Sequence, residues 1–258
     1  MKEFDRLIEI IRRLRDPEKG CPWDVKQTHS SLIPNFIEEL YEVIEAIEHG
    51  DFEHLSEELG DLLLHIVMQV QIAVEKDLFD MSQVLNKIND KLVRRHPHIF
   101  GDGPATDAKG VKLNWERIKQ EEKKGLRKSA IDGIPLSMPA LVIAQRMQEK
   151  AASVGFDWQN AEPVLEKLHE EIDELKSALI QEDSTEISNE LGDVLFTVVN
   201  LSRKLENDAE SCLRKSIRKF SDRFHKIEEY HHRNKEDINQ SSMEKLDEIW
   251  NNTKKRDI

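Results

Sequence analysis

Along most of this chain, apolar residues recur at the three- and four-residue spacing of a helix face. Residues 2–15 carry Phe4, Leu7, Ile8, Ile11 and Leu14 on one stripe, which predicts an amphipathic helix. The stretch RDPEKGCPWD, with two prolines and a glycine, ends it. The next stripe predicts a helix from Ser30 to His49, stopped by Gly50. Asp51 is placed to cap a further helix reaching Lys76. Another spans Met81 to Arg95. HPHIFGDGPATDAKG, residues 96–110, reads as a loop, and VKLNWERIKQEEKK as a short helix. In GLRKSAIDGIPLSMP the helical signal lapses, and Ser137 is placed to cap a helix running from about Pro139 to Ser153. GFDW breaks that helix. Further helices are predicted over Glu162–Gln181, Thr185–Leu205, Asp208–His231 and Met243–Trp250. No stretch makes a strand candidate of comparable strength, so the expected fold class is all-α.

The second half repeats the first. Glu38, Glu39 and Glu42 correspond to Glu170, Glu171 and Glu174, and Glu58, Gly60 and Asp61 to Glu190, Gly192 and Asp193, every pair 132 positions apart. SEELGD and SNELGD agree closely. Gly20 and Trp23 pair with Gly155 and Trp158 at a slightly larger offset. This predicts two related modules, residues 1–125 and 137–258, joined by a linker at 126–136.

Helical spacing turns the repeated carboxylates into a candidate site. Glu39 and Glu42 share one face, as do Glu58 and Asp61 on the next helix. Position 50 is midway between 42 and 58 and between 39 and 61. An antiparallel hairpin turning there sets Glu42 level with Glu58, and Glu39 level with Asp61. Position 182, within QEDST, does the same for Glu174 with Glu190 and Glu171 with Asp193. The flanks LGDLLLHIV and LGDVLFTVV are strongly apolar, which puts Asp61 and Asp193 near bundle interiors. Clustered carboxylates there repel one another and lose hydration, and a hard divalent cation relieves both costs. A single E-x-x-E is commonplace on a solvated helix. Two matched hairpins with four such positions each are much more specific. Gly60 and Gly192 within the same helices suggest close packing or ligand access.

Charge and composition narrow the chemistry. The formal charge of −13 disfavours nucleic-acid binding, although a nucleotide with metal-neutralised phosphates remains compatible. Cys21 and Cys212 have no metal-like spacing and read as reduced thiols of a cytoplasmic protein. The N-terminus reads as an amphipathic helix, not a signal peptide, and no apolar run is long enough to suggest a membrane span. There is no P-loop and no order of residues that suggests a covalent nucleophile.

The E-E-x-x-E elements Glu38 to Glu42 and Glu170 to Glu174, and the E-x-x-D elements Glu58 to Asp61 and Glu190 to Asp193, resemble the MazG family of nucleoside triphosphate pyrophosphohydrolases. GCPWDVKQTH, RRHPHIFGD and GIPLSMPALVIAQRMQEKAASVGFDW extend the resemblance over nearly the whole chain. It implies tandem all-helical modules, four-helix-bundle sites completed by homodimerisation, and magnesium-dependent conversion of nucleoside triphosphates to monophosphates and pyrophosphate, with broad base use. A narrower dUTP or phosphoribosyl-ATP pyrophosphohydrolase is the enzymatic alternative. A non-enzymatic helical regulatory or interaction protein is the other.

The resemblance makes the C-terminal module the main catalytic one, with Glu171, Glu174, Glu190 and Asp193 holding magnesium and Glu170 or Glu171 positioning the water. Asn200 orients substrate. Its N-terminal counterpart is Met68, which offers only a weak acceptor. Lys215, Lys219 and Arg223 form a stripe suited to phosphate or, equally, to a solvated basic face. Arg95 ends the matching stripe of the first module. Trp158 walls the nucleotide pocket or packs in the core. Glu38, Glu39, Glu42, Glu58 and Asp61 make a second candidate site. His65 is expected to be a packed histidine, and His96 and His98 structural or surface groups.

Overall fold

A computed structural model describes residues 2–102, 107–122 and 128–254. Its regular elements are all helical among the described residues, as the periodicity predicts. None of these helices is long and apolar enough to cross a membrane. The chain divides into two compact units, Met1–Asp107 and Ala108–Ile258. The division falls ahead of the expected linker at 126–136, of which residues 126 and 127 lie outside the described residues.

In the first unit, α1 (Lys2–Leu14) is followed by the short α2 (Pro22–Val25), α3 (Ile33–His49) and α4 (Phe52–Val74). α3 stops where Gly50 takes a left-handed φ of 70°, a conformation that suits glycine because it has no Cβ. Asp51 then caps α4, its side chain accepting from the His54 backbone N–H at 3.1 Å. α3 and α4 make a hairpin, and α1 packs on α4. Ile11, Leu32, Val67, Met68 and Ile72 are buried together, with Phe4, Leu7, Ile8 and Leu64 packed around them. The end of α1 is pinned by Arg15, whose Nε and Nη2 donate to the Glu75 carboxylate at 2.8 and 2.6 Å. α5 (Met81–Arg95) opens with a capping box between Asp80 and Gln83. The supposed loop after it contains one helical turn, α6 (Pro97–Phe100), entered through a proline whose missing N–H costs nothing there.

The second unit contains α7 (Ala108–Glu122), α8 (Ala140–Ala152), α9 (Glu162–Gln181), α10 (Ser184–Lys204), α11 (Ala209–Asn234) and α12 (Met243–Lys254). Residues 108–110, expected to close the loop, therefore open a helix. Ser137 does not cap α8. Pro139 holds the N-cap position, and no side chain bonds the first turn. α9 and α10 form the second hairpin. It turns through Glu182 at φ 56°, and Asp183 caps α10 through the N–H groups of Thr185 and Glu186 at 3.0 and 3.2 Å. α8 packs on α10 and α11, and α12 on α11. The other helix ends lie within one to three residues of their expected positions, which is the ordinary fraying range.

Candidate active site

Both hairpins turn at the positions that their sequences mark as midpoints, and both gather carboxylates. In the first unit, Glu39 from α3 meets Glu58 and Asp61 from α4, with one carboxylate oxygen of each lying within 4.8 Å of the others. In the second, Glu171 and Glu174 from α9 meet Glu190 from α10 within the same limit. Burial raises the Glu39 and Glu58 carboxyls above the usual range. The negative charge of Glu42 beside each adds to the effect, and that of Asp61 raises both further. The Glu174 carboxyl is raised first by loss of hydration and then by Glu171. Each set supplies only hard oxygen donors and carries uncompensated negative charge. Both properties fit a divalent cation, with further oxygens from water or ligand completing its shell.

The two sets differ in the cationic groups beside them. Lys167 lies 2.9 Å from both Glu170 and Glu171, one helical turn before them on α9. That spacing was available in the sequence. In the first unit the neighbours are histidines: His54 Nδ1 lies 3.2 Å from Glu58, and His65 Nε2 lies 3.7 Å from Glu39. His65 is buried and packs edge-on against Phe36, and its burial holds the ring's pKa below the usual value. It is the packed histidine expected, with Nδ1 buried and unbonded.

Other expected positions are distributed more widely. Asp193 is exposed and stands outside the tight set, whereas the apolar flank suggested an interior position. The face of α10 beside it also leaves Leu191 and Leu195 about half exposed, so no neighbour within the described chain covers this side. Glu38 and Glu170 are exposed at the outer edges of their helices. Lys215 and Lys219 point from α11 into solvent, while Arg223 lies over the Trp250 ring at 5.6 Å. Arg95 is half-buried at the end of α5, and the neighbouring His96 bonds the Leu92 carbonyl at 2.7 Å. A Cβ at Gly60 or Gly192 would meet nothing within 4 Å. Close packing within the chain therefore does not explain either glycine.

Trp158 and Asn200 come together in the second unit, at a cavity of about 430 Å³ beside α10. Met147, Gln148, Phe156 and Phe196 also line it. Its rim is braced by Asp157, which accepts from Arg203 and, at 2.7 Å, from Lys204. Arg203 also donates to Asn200 Oδ1 at 2.7 Å. Gln148 and Arg203 were not singled out in the sequence. The available signal was a glutamine four residues after Ala144 and three before Ala151, on the small-residue stripe of α8.

Sequence likeness agrees with this geometry. The MazG nucleotide pyrophosphohydrolase domain profile matches residues 27–100 and 159–230, which contain the two hairpins. The chain is 48% identical to the nucleoside triphosphate pyrophosphohydrolase/pyrophosphatase MazG of Thermotoga maritima, over 97% of its own length and 95% of that protein. It is 43% identical to the nucleoside triphosphate pyrophosphohydrolase of Escherichia coli, over 100% and 99% of the two chains. It is also 41% identical to protein YabN of Bacillus subtilis, covering 98% of this chain and 52% of that protein. Two matched domains and likeness along almost the full length show that this chain belongs to the MazG nucleotide pyrophosphohydrolase family.

Proposed function

We propose that this protein hydrolyses nucleoside triphosphates to nucleoside monophosphates and pyrophosphate, using magnesium and accepting several bases. Full-length likeness to two pyrophosphohydrolases supports the reaction. The observation that carries it to particular residues is the convergence of Glu171, Glu174 and Glu190 within 4.8 Å. These carboxylates, with Asp193, would hold magnesium. When bound, the ion offsets the negative charge of the phosphates. Glu170 or Glu171 orients a water and takes its proton. The water oxygen bonds to the α-phosphorus, and the bond from that phosphorus to the α–β bridging oxygen breaks. Pyrophosphate leaves with the bonding pair. Lys215 and Lys219, exposed on α11, are free to approach the outgoing phosphates.

A homodimer accompanies this reading. α5 carries Leu85, Ile88 and Leu92, and α11 carries Ile217, Phe220 and Phe224, at matching helical spacing and all at least 38% exposed. Such stripes suit a bundle completed by a second copy. The free Cys21 and Cys212 and the acidic charge suit a cytoplasmic enzyme that does not bind nucleic acid. Phosphorus NMR of the products from each nucleoside triphosphate with magnesium tests the reaction. Monophosphate with pyrophosphate is expected, and diphosphate with orthophosphate would overturn the proposed bond cleavage.

A further inference from the structure

Two buried polar atoms in the second unit have no partner among the described residues: Gln148 Oε1 and Arg203 Nε. Leaving such groups unpaired costs free energy, so a persistent pair of them marks a place where something else binds. Both residues line the same cavity. Gln148 is 7% exposed and is the buried residue of α8. Its Nε2 donates to the Phe196 carbonyl at 2.9 Å, which fixes the amide so that Oε1 is the unsatisfied end. Arg203 is oriented by Asp157 and Asn200, with both terminal nitrogens engaged and Nε–H left over. The cavity thus offers one fixed acceptor and one fixed donor.

Its walls are otherwise apolar and aromatic. Phe156, Trp158 and Phe196 are each more than 40% exposed, so ring faces remain for a flat ligand to stack on. A volume of about 430 Å³ lies in the range of small-molecule sites. Asn200 lies seven residues beyond Asp193 on α10, about 10 Å along the helix at 1.5 Å per residue. A flat group in the cavity would therefore be about two helical turns from the carboxylate end of the hairpin.

We propose that this cavity is the nucleobase pocket of the second unit and that Gln148 is its reading residue, with Oε1 accepting an N–H of the base while Arg203 Nε donates to a neighbouring base acceptor. The identity of the ligand rests on the reaction proposed above, whereas the pocket itself rests on the two orphaned atoms. Adenine, guanine, cytosine and uracil all carry an N–H beside an acceptor on the Watson–Crick edge. One acceptor and one donor therefore admit all four, which accounts chemically for broad base use.

The test uses the full chain and two variants whose folding is checked by thermal melting. Saturation-transfer NMR with free nucleosides, without magnesium, reads the pocket independently of turnover. The wild type should transfer saturation to base protons, and Ala151→Phe, which fills the cavity, should abolish it. Gln148→Met should raise KM for nucleoside triphosphates about tenfold, the scale of one lost hydrogen bond in a buried site, and leave kcat little changed. Absence of saturation transfer in the wild type, transfer undiminished in Ala151→Phe, or a Gln148→Met effect confined to kcat would overturn the pocket. Nucleoside binding that depends on the cavity in a protein without turnover would keep the pocket and remove the reaction. Normal turnover with transfer undiminished in Ala151→Phe would do the reverse.

Discussion

The two units build the same acidic hairpin and then diverge one layer away from it. In the first, α1 lies on α4 and buries Ile11 with Leu32, Met68 and Ile72. In the second, α8 lies on α10 and the buried residue of α8 is Gln148. Asn200 takes the repeat position of Met68, and a cavity opens where the first unit has apolar packing. The pins that hold the chain after the leading helix are reversed as well. Arg15 reaches from the end of α1 to Glu75, whereas Arg203 reaches from α10 back to Asp157. Carboxylate convergence alone therefore does not distinguish the units. The adjoining layer does, because only the second leaves room and unsatisfied polar atoms for an organic ligand.

The sharpest way to break this comparison is to remove one carboxylate from each hairpin. Glu190→Gln should lower kcat on the order of a thousandfold, the scale of losing a principal electrostatic contact with reacting charge. Glu58→Gln should leave turnover close to wild type, because the first unit lacks the pocket. Steady-state assays of both variants decide the matter. Comparable losses in the two would mean that both hairpins turn over substrate, and the adjoining layer would lose its significance.

A second test exchanges the layers themselves. Met68 is 3% exposed, so Met68→Asn removes packed apolar surface and buries an amide without a partner. The cost should be about 2–5 kcal/mol. Asn200→Met should cost much less stability, because Asn200 is only half-buried beside an open cavity, though it leaves Arg203 one acceptor short. Hydrogen exchange resolved by peptide reads each unit separately: protection should fall across α1 and α4 in the first variant and change little across α8 and α10 in the second. Equal losses would show that the second unit is packed as tightly as the first.

The hairpins were legible because helix geometry is periodic. The distance from Glu42 to Glu58 fixes a turn at position 50, and Gly50 turns there; the spacing of Glu174 and Glu190 fixes Glu182 in the same way. Lys167 was within reach of the same rule. Gln148 was harder to read, because its importance lies in a carbonyl 48 residues away that orients it and in a neighbour, Arg203, that leaves its own Nε unpaired. Neither relation has a spacing in sequence. The exposure of Asp193 was illegible for a different reason: hydropathy predicts that an apolar flank will be covered, but not that the cover lies outside the chain's own fold.

Acidity tests whether the hairpins share cation binding despite their different surroundings. Glu39, Glu58 and Glu174 have carboxyls raised above the ordinary range, mainly by lost hydration. A raised carboxyl favours the folded state while protonated, and that contribution is lost as pH rises through the raised value. Magnesium acts in the opposite sense, because it binds the ionised form. The rise in melting temperature on adding magnesium should be small in acid and grow toward neutral pH, reaching about 2.7 kcal/mol of stabilisation per site at a hundredfold excess over Kd. Glu58→Gln and Glu190→Gln should each remove part of it. A magnesium effect that is flat across the carboxylate range would leave the clusters as surface acidity.

The smallest difference lies at the turns. Gly50 and Glu182 occupy the same left-handed conformation at φ 70° and 56°, but only one is glycine. A side chain in this region crowds the following carbonyl and costs about 1 kcal/mol. A Cβ at Gly50 would meet nothing within 4 Å, so backbone strain is the whole of its local penalty. Gly50→Ala should therefore destabilise the α3–α4 hairpin by about 1 kcal/mol. Glu182→Gly should stabilise the α9–α10 hairpin by somewhat less, because glycine also loosens the unfolded chain. Opposite signs in peptide-resolved exchange would show that the two turns are one solution reached with unequal residues. Loss of protection in both would mean that Glu182 contributes something at its turn besides the backbone it tolerates.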